Sequence, residues 1–132
     1  MDSSLGKSYS LCSKKIIGAL FIEGSHLKQY PFVLHYQCVL LPTEKKFQIV
    51  FSVPKRRFKK AVERNRIKRL MREAVRKNKH IIEENLPQSG EQLALFLIYT
   101  GKKEENQSFM LAKIDTLFSR LIESIKNTPA EK

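Results

Sequence analysis

The amino-acid sequence predicts an α+β fold, a single small two-layer domain over residues 1–132 with helix, strands, helix, strand and helix around one mixed sheet. The length of 132 residues and a hydrophobic content of 42% suit one domain with one core. Stretches rich in β-branched and aromatic residues alternate with segments of helical periodicity. This alternation predicts helices packed on a sheet.

The first element is predicted to be a short helix between Ser13 and Gly24. Ser13 is a good N-cap residue, and Gly24 is a natural end for a helix. The apolar residues between them recur at three- and four-residue spacings, which places them on one side of the helix: Ile16, Ile17, Leu20 and Phe21. The ends of the chain, residues 1–11 and 127–132, are expected to be flexible.

Two or three strands are predicted next, over residues 32–41, which form either one strand or a strand broken into two, and over residues 47–53. Both stretches are rich in aromatic and β-branched residues, and Pro54 ends the second. Because only the turn 42–46 separates them, the two strands are expected to pair with each other in antiparallel fashion.

The second half of the chain is predicted to contain a helix, a strand and a helix. Residues 58–78 lack Gly and Pro and are rich in helix formers, and residues 83–90 are interpreted as a linker. The continuous apolar run 93–99 is typical of a strand buried on both sides. Apolar residues then recur at helical spacing over 110–125, which predicts a long amphipathic helix.

Positive charge is concentrated in one segment. Residues 55–79 carry thirteen Lys and Arg and two acids, a net charge of +11, whereas the whole chain has +12. So high a local density repels itself unless an anionic partner is present. A polyphosphate backbone is the partner this pattern favours.

The basic helix is predicted to have one apolar side and one cationic side. On a helix of about 3.6 residues per turn, an apolar stripe from Ile67 to Val75 faces the sheet. Glu73 is spaced to pair with Arg69, Arg76 or Lys77. The candidate nucleic-acid-binding residues of this helix, of which Arg66 lies off the cationic side, are Lys60, Arg64, Asn65, Arg66, Lys68, Arg69, Arg72 and Arg76.

The remaining residues predict no chemistry of their own. Cys12 and Cys38 lack metal-ligand spacing and are interpreted as reduced thiols, Cys38 as a buried strand residue. The acids are scattered, so no catalytic residue and no protein metal site are predicted. The sequence shows neither a membrane-spanning run nor a secretory signal, which favours the cytoplasm.

The segment from Lys60 to Ala74 resembles the signature of the bacterial ribonuclease P protein subunit family. The match includes Arg64-Asn65-Arg66, Lys68-Arg69 and Arg72-Glu73 in the same spacing, and the overall resemblance extends roughly from Leu11 to Ile125. The chain departs from many members in lacking a Gly just before Ala61, with one extra residue there. It also has an aliphatic residue at Ile17 and an imidazole at His35, where many members carry aromatics.

The resemblance implies a protein that joins a catalytic RNA and helps to remove the 5′ leader of precursor tRNA. The RNA would carry the chemistry and hold most of the Mg²⁺, and the isolated protein would be inactive. The basic helix would contact the RNA subunit. A cleft between the first helix and the sheet would hold the leader, with candidate lining residues Ile17, Phe21, Val33 and His35.

Three alternative functions fit parts of the sequence. A ribosomal-type or general structural RNA-binding protein fits the composition equally well, but does not explain the spaced signature. A helix-turn-helix DNA-binding protein requires a helix just before the recognition helix, where this chain has a strand and Pro54. A membrane-surface helix is disfavoured because the apolar side is narrow and needed for the core. Neither DNA nor a membrane is therefore a predicted partner.

Overall fold

The computed structural model describes residues 6–86 and 92–127, and its described part contains one four-stranded sheet and three α-helices. A 3₁₀ turn at Lys7–Tyr9 precedes them. The elements follow in the order α1 (Lys14–Glu23), β1 (Ser25–Gln29), β2 (Phe32–Cys38), β3 (Phe47–Ser52), α2 (Ala61–Asn85), β4 (Leu93–Tyr99) and α3 (Gln107–Asn127).

The sheet has the strand order β1-β2-β4-β3. β2 is antiparallel to both β1 and β4, whereas β3 runs parallel to β4. The predicted pairing of β2 with β3 is therefore wrong, because β4 lies between them. The apolar run of β4 is buried best at a central position, and α2 supplies the long crossover that a parallel pair needs.

One face of the sheet, here called the closed face, is covered by α2 and α3. Leu95 and Leu97 of β4 point to this face and are fully buried. They share one large core with Ile67 of α2 and Phe118 of α3. The predicted amphipathic character of α3 is confirmed, since its apolar residues from Met110 to Ile122 form part of this core.

On the opposite face, here called the open face, α1 is the only one of the described helices that packs on the sheet. A smaller cluster forms there around Leu20 of α1 and Ala94 of β4. The α+β class with a single mixed sheet is confirmed, and α1 adds a partial third layer. The Ser13 hydroxyl accepts a hydrogen bond from the Ile16 amide at the start of α1, and Gly24 ends the helix, both as predicted.

Several boundaries differ from the predicted ones. α2 begins at Ala61 rather than residue 58 and continues to Asn85, because Ile82 near its end is buried in the core. The predicted linker therefore starts inside the helix, and residues 87–90 lie outside the described part. β2 ends at Cys38, which is exposed rather than buried as predicted. The alternation of residues along a strand does not predict burial at the strand's end.

The N-terminal segment is packed from Tyr9 onward. Tyr9 and Leu11 are buried, and the backbone of Ser10 forms a bridge with Ile49 of β3. The expectation of a flexible end does not hold for these residues, because two apolar side chains anchor them. Residues 1–5 and 128–132 lie outside the described residues.

Candidate nucleic-acid interface

Helix α2 is fixed to the closed face by the predicted apolar stripe. Ile67, Met71, Ala74 and Val75 are fully buried, and Leu70 is half-buried against the same core. On the other side Asn65, Arg69 and Arg72 are exposed, as is Lys60 at the N-cap position. The helix thus separates an apolar side from a cationic side, as the periodicity predicts.

Arg64 has a structural contact as well as a place on this surface. Its Nη1 donates to the carbonyl oxygens of Phe58 and Lys59, each at 2.9 Å. Phe58 is itself buried in the core. Arg64 therefore fixes the entry to α2, where no side chain caps the helix.

Arg66 points away from the other predicted residues. Its Nε lies 2.9 Å from both carboxylate oxygens of Glu104, in the segment between β4 and α3. The ion pair is partly exposed, so it constrains the side chain more than it stabilises the fold. No local sequence pattern indicates this contact, since the two residues are 38 positions apart.

Arg76 forms an ion pair with Glu73, which is one of the pairings that the sequence predicts. The Arg76 Nη2 lies 2.7 Å from the Glu73 Oε1. The hydrogen bond from Arg76 is the main cause that lowers the pKa of Glu73, with its charge and that of Lys77 adding to the effect. Glu73 thus stays ionised and orients a guanidinium on the surface.

Lys68 and Arg72 border a groove of about 450 Å³ beside the N-terminal segment and β3. The guanidinium carbon of Arg72 lies 5.2 Å from the ring centroid of Phe51. From its position in the helical repeat, Lys79 would be expected on the cationic side of α2. It is buried instead, because its ammonium group lies 4.6 Å from the ring centroid of Tyr9.

A second candidate surface lies on the open face, where α1 leaves the sheet partly uncovered. Phe21 of α1 is 51% exposed. Its ring centroid is 4.7 Å from that of His35 and 5.0 Å from that of Phe96. Phe21 is therefore not a core residue, and its exposed ring belongs to a small aromatic group on the sheet.

His35 has a second imidazole beside it. His26 of β1 is its direct partner in the strand register, and the two ring centroids are 5.6 Å apart. Burial, followed by the nearby charge of His26, lowers the pKa of His35 below its usual value. The neutral imidazole is therefore favoured in the folded protein.

The other two predicted cleft residues occupy different positions on this face. Val33 lies two residues before His35 on β2 and pairs in register with Ile98 of β4. Ile17 packs into the small cluster beneath α1. The structure thus brings Phe21 and His35 together, and places Val33 on the adjacent part of the sheet.

Three residues of these surfaces are not predicted from the sequence. Phe96 lies within the apolar run of β4, and Phe51 lies within the β3 run, where aromatics indicate only a strand. Glu104 was one of many scattered acids. No periodic pattern distinguishes such residues, because strand alternation identifies two faces without saying which face stays open.

Within 6–86 and 92–127, no group of three or more His, Cys, Asp and Glu side chains is arranged to hold a metal ion. In the same part of the chain, no helix has the length and hydropathy needed to cross a membrane.

Comparison with known proteins adds independent findings. Residues 5–122 match the family model described as Ribonuclease P. The chain is 34% identical, over an alignment 132 residues long, to the ribonuclease P protein component of Chlorobium phaeobacteroides, and the match covers 94% of this chain and 89% of the relative. It is 39% identical over 82 residues to that of Porphyromonas gingivalis, covering 62% and 60%.

The fold also matches solved structures. The RNase P protein from Thermotoga maritima superposes with a TM-score of 0.66 at 22% identity, covering 84% of this chain and 96% of that one. The Staphylococcus aureus RNase P protein gives 0.64 at 19%, covering 92% and 97%. The family match over most of the chain, with this shared fold, shows that the chain belongs to the ribonuclease P protein component family, whose members are part of a tRNA-processing ribonuclease.

Proposed function

We propose that this chain is the protein subunit of a ribonuclease P that removes the 5′ leader from precursor tRNA. In this role α2 binds the catalytic RNA subunit, and the open face receives the single-stranded leader. The observation that carries the proposal is the division of α2 into a buried apolar side and an exposed cationic side. A rigid row of cations suits a folded RNA backbone, and guanidinium groups match phosphate oxygens.

The chemistry is assigned to the RNA, with the protein acting through binding. Two carboxylates that contact α2 arginines, those of Glu73 and Glu104, are each held in an ion pair. They thereby orient cations on the α2 surface. Mg²⁺ is proposed to be held mainly by the RNA subunit, and the complex to work in the cytoplasm.

The leader is assigned to the open face because that face offers an exposed aromatic ring. Phe21 rests against His35 and Phe96, which fix its orientation, and half of its surface remains exposed. An unpaired base can stack on such a ring without regard to its identity. Single-stranded RNA, whose bases are accessible, is the form that this surface can bind.

Reconstitution with the catalytic RNA at low Mg²⁺ tests the proposal. The protein should promote cleavage of a precursor tRNA with a leader of several nucleotides, and the protein without RNA should be inactive. Changing Arg64, Lys68 and Arg72 together to Ala should weaken assembly strongly. The matched control changes Lys102, Lys113 and Lys126 to Ala, which removes the same charge away from α2.

Salt dependence gives a second measurement on the same complex. If ~6–10 phosphates are neutralised, affinity for the RNA subunit falls by about three to five decades between 50 and 200 mM salt. The assignment of α2 as the RNA-binding helix would be contradicted if the two triple variants weakened assembly equally. It would also be contradicted if the salt dependence of affinity corresponded to the release of only one or two ions. Tight RNA binding without promotion of cleavage would favour a structural RNA-binding role instead.

A further inference from the structure

The groove beside Lys68 and Arg72 has the composition of a nucleotide site. Its volume of about 450 Å³ lies between α2, the N-terminal segment and β3, within the range of about 300–1,000 Å³ typical of small-molecule sites. It combines an aromatic ring and an aliphatic side chain with a hydroxyl and two cations: Phe51, Ile49, Ser10, Lys68 and Arg72. None of its described lining residues is acidic.

A neighbouring groove shows why this composition matters. It has a volume of about 660 Å³ and also contains several cations, among them Lys45 and Lys77. Three carboxylates line it as well, those of Glu44, Glu83 and Glu84. Their negative charge opposes a phosphate, whereas the described residues that line the groove beside Arg72 include cations and no acid.

The contact between Arg72 and Phe51 provides the second part of the argument. The guanidinium lies over the aromatic ring, 5.2 Å from its centroid, although the Arg72 side chain is exposed. A flat cation on a ring occupies the place that a stacked base would take. Because the side chain is long and exposed, it can leave the ring and contact a phosphate or the other side of the base.

We propose that this groove binds one unpaired nucleotide of the catalytic RNA subunit, with its base on Phe51 and its phosphate between Lys68 and Arg72. The inference rests on the proposed function, which assigns the RNA subunit to α2. A base inside a duplex cannot reach an aromatic ring, so the nucleotide is bulged or lies in a loop. Phe51 packs with the closed-face core, which separates this groove from the leader surface around Phe21.

Two substitutions at Phe51 test the stacking contact. Phe51→Leu keeps an apolar side chain but removes the ring, and Phe51→Tyr keeps the ring. Affinity for the RNA subunit, measured at fixed salt, should fall by about ten-fold for Phe51→Leu and by less than about two-fold for Phe51→Tyr. The salt slope should be unchanged in both, since neither removes a cation.

The chain provides a matched control in α3. Phe109 is also half-buried and has a cation over its ring, with the Lys113 ammonium 5.3 Å from the centroid. Phe109→Leu should leave RNA affinity unchanged. Thermal unfolding should first show that the Phe51→Leu variant is folded. If that variant then binds the RNA subunit with the same affinity as the wild-type protein, the nucleotide site is overturned.

Photocrosslinking of the unaltered protein gives a readout that does not depend on how the variants fold. RNA subunit containing 4-thiouridine should crosslink to the peptide containing Phe51 from a few unpaired positions. Crosslinks that map only to other peptides would overturn the site. Loss of assembly on changing Arg64, Lys68 and Arg72, with no effect of Phe51→Leu, would reject this groove and leave the proposed function standing.

Discussion

The two faces of the sheet differ in how completely helices cover them. The closed face packs two long helices, α2 and α3, on a continuous apolar surface that includes Leu95 and Leu97. Of the helices in the described part of the chain, the open face carries only the ten-residue α1, and Phe21 remains half exposed beside His35. One face thus supplies the core and the other keeps an aromatic group accessible, so binding and stability are largely carried by different residues.

The largest expected difference between the faces concerns β4, whose neighbouring residues point in opposite directions. Leu97→Ala should lower the free energy of unfolding by about 2–5 kcal/mol, since it leaves a cavity in the closed-face core. Ile98 lies on the open face and is only half-buried, so Ile98→Ala should lower the free energy of unfolding by less than half as much. Urea unfolding measures both, and equal costs would contradict the comparison.

Phe21 should show the opposite behaviour, with a large effect on binding and a small one on stability. Phe21→Ala should weaken binding of leader-containing precursor tRNA to the holoenzyme by about 1–3 kcal/mol, the usual effect of one lost stacked base. Binding of leaderless tRNA should not change. Ile22→Ala is the control, because Ile22 is the next residue and is 83% exposed; a similar effect there would argue against stacking on Phe21.

The attachment of α1 to the open face depends on Gly24. A Cβ atom at this position would lie 2.6 Å from the carbonyl oxygen of Leu20 and 2.9 Å from that of Tyr36. Gly24→Ala should therefore destabilise the protein by about 1–3 kcal/mol, because backbone atoms must move.

Gly18 of the same helix provides the control for Gly24. A Cβ there would meet nothing within 4 Å. Gly18→Ala should stabilise the protein by about 0.5–1 kcal/mol, because alanine favours the helix. The melting temperature should fall in the Gly24→Ala variant and rise in the Gly18→Ala variant. A rise in both variants would show that the tight contact at Gly24 is easily relieved.

The smallest expected effect is a pH dependence from His35. Its folded-state pKa is lowered by burial and by His26, so its contribution to stability is present above the unfolded pKa of about 6.5. This contribution is lost as the pH falls through the lower folded value. NMR titration should place the His35 midpoint below 6.5, and His26→Ala should raise it by removing a neighbouring charge. An unchanged midpoint in that variant would exclude the contribution of His26.

Most helices and strands could be predicted because their signals are local. Ser13 and Gly24 bound α1 as expected, and the stripe from Ile67 to Val75 faces the core. Strand pairing could not be predicted from the short 42–46 turn, since β4 displaces β3 from β2. The end of α2 was also missed, because burial of Ile82 extends the helix beyond the point where its charge pattern weakens.

The sequence by itself determined the cationic side of α2 and the apolar side opposite, because helical periodicity and charge are properties of neighbouring residues. Only the tertiary structure decided which groups each cation contacts. It placed Glu104 against Arg66, Tyr9 over Lys79 and Phe51 beneath Arg72. It also joined Phe21 to His35 and Phe96. These contacts link residues far apart in the chain, and they form only when all the elements pack together.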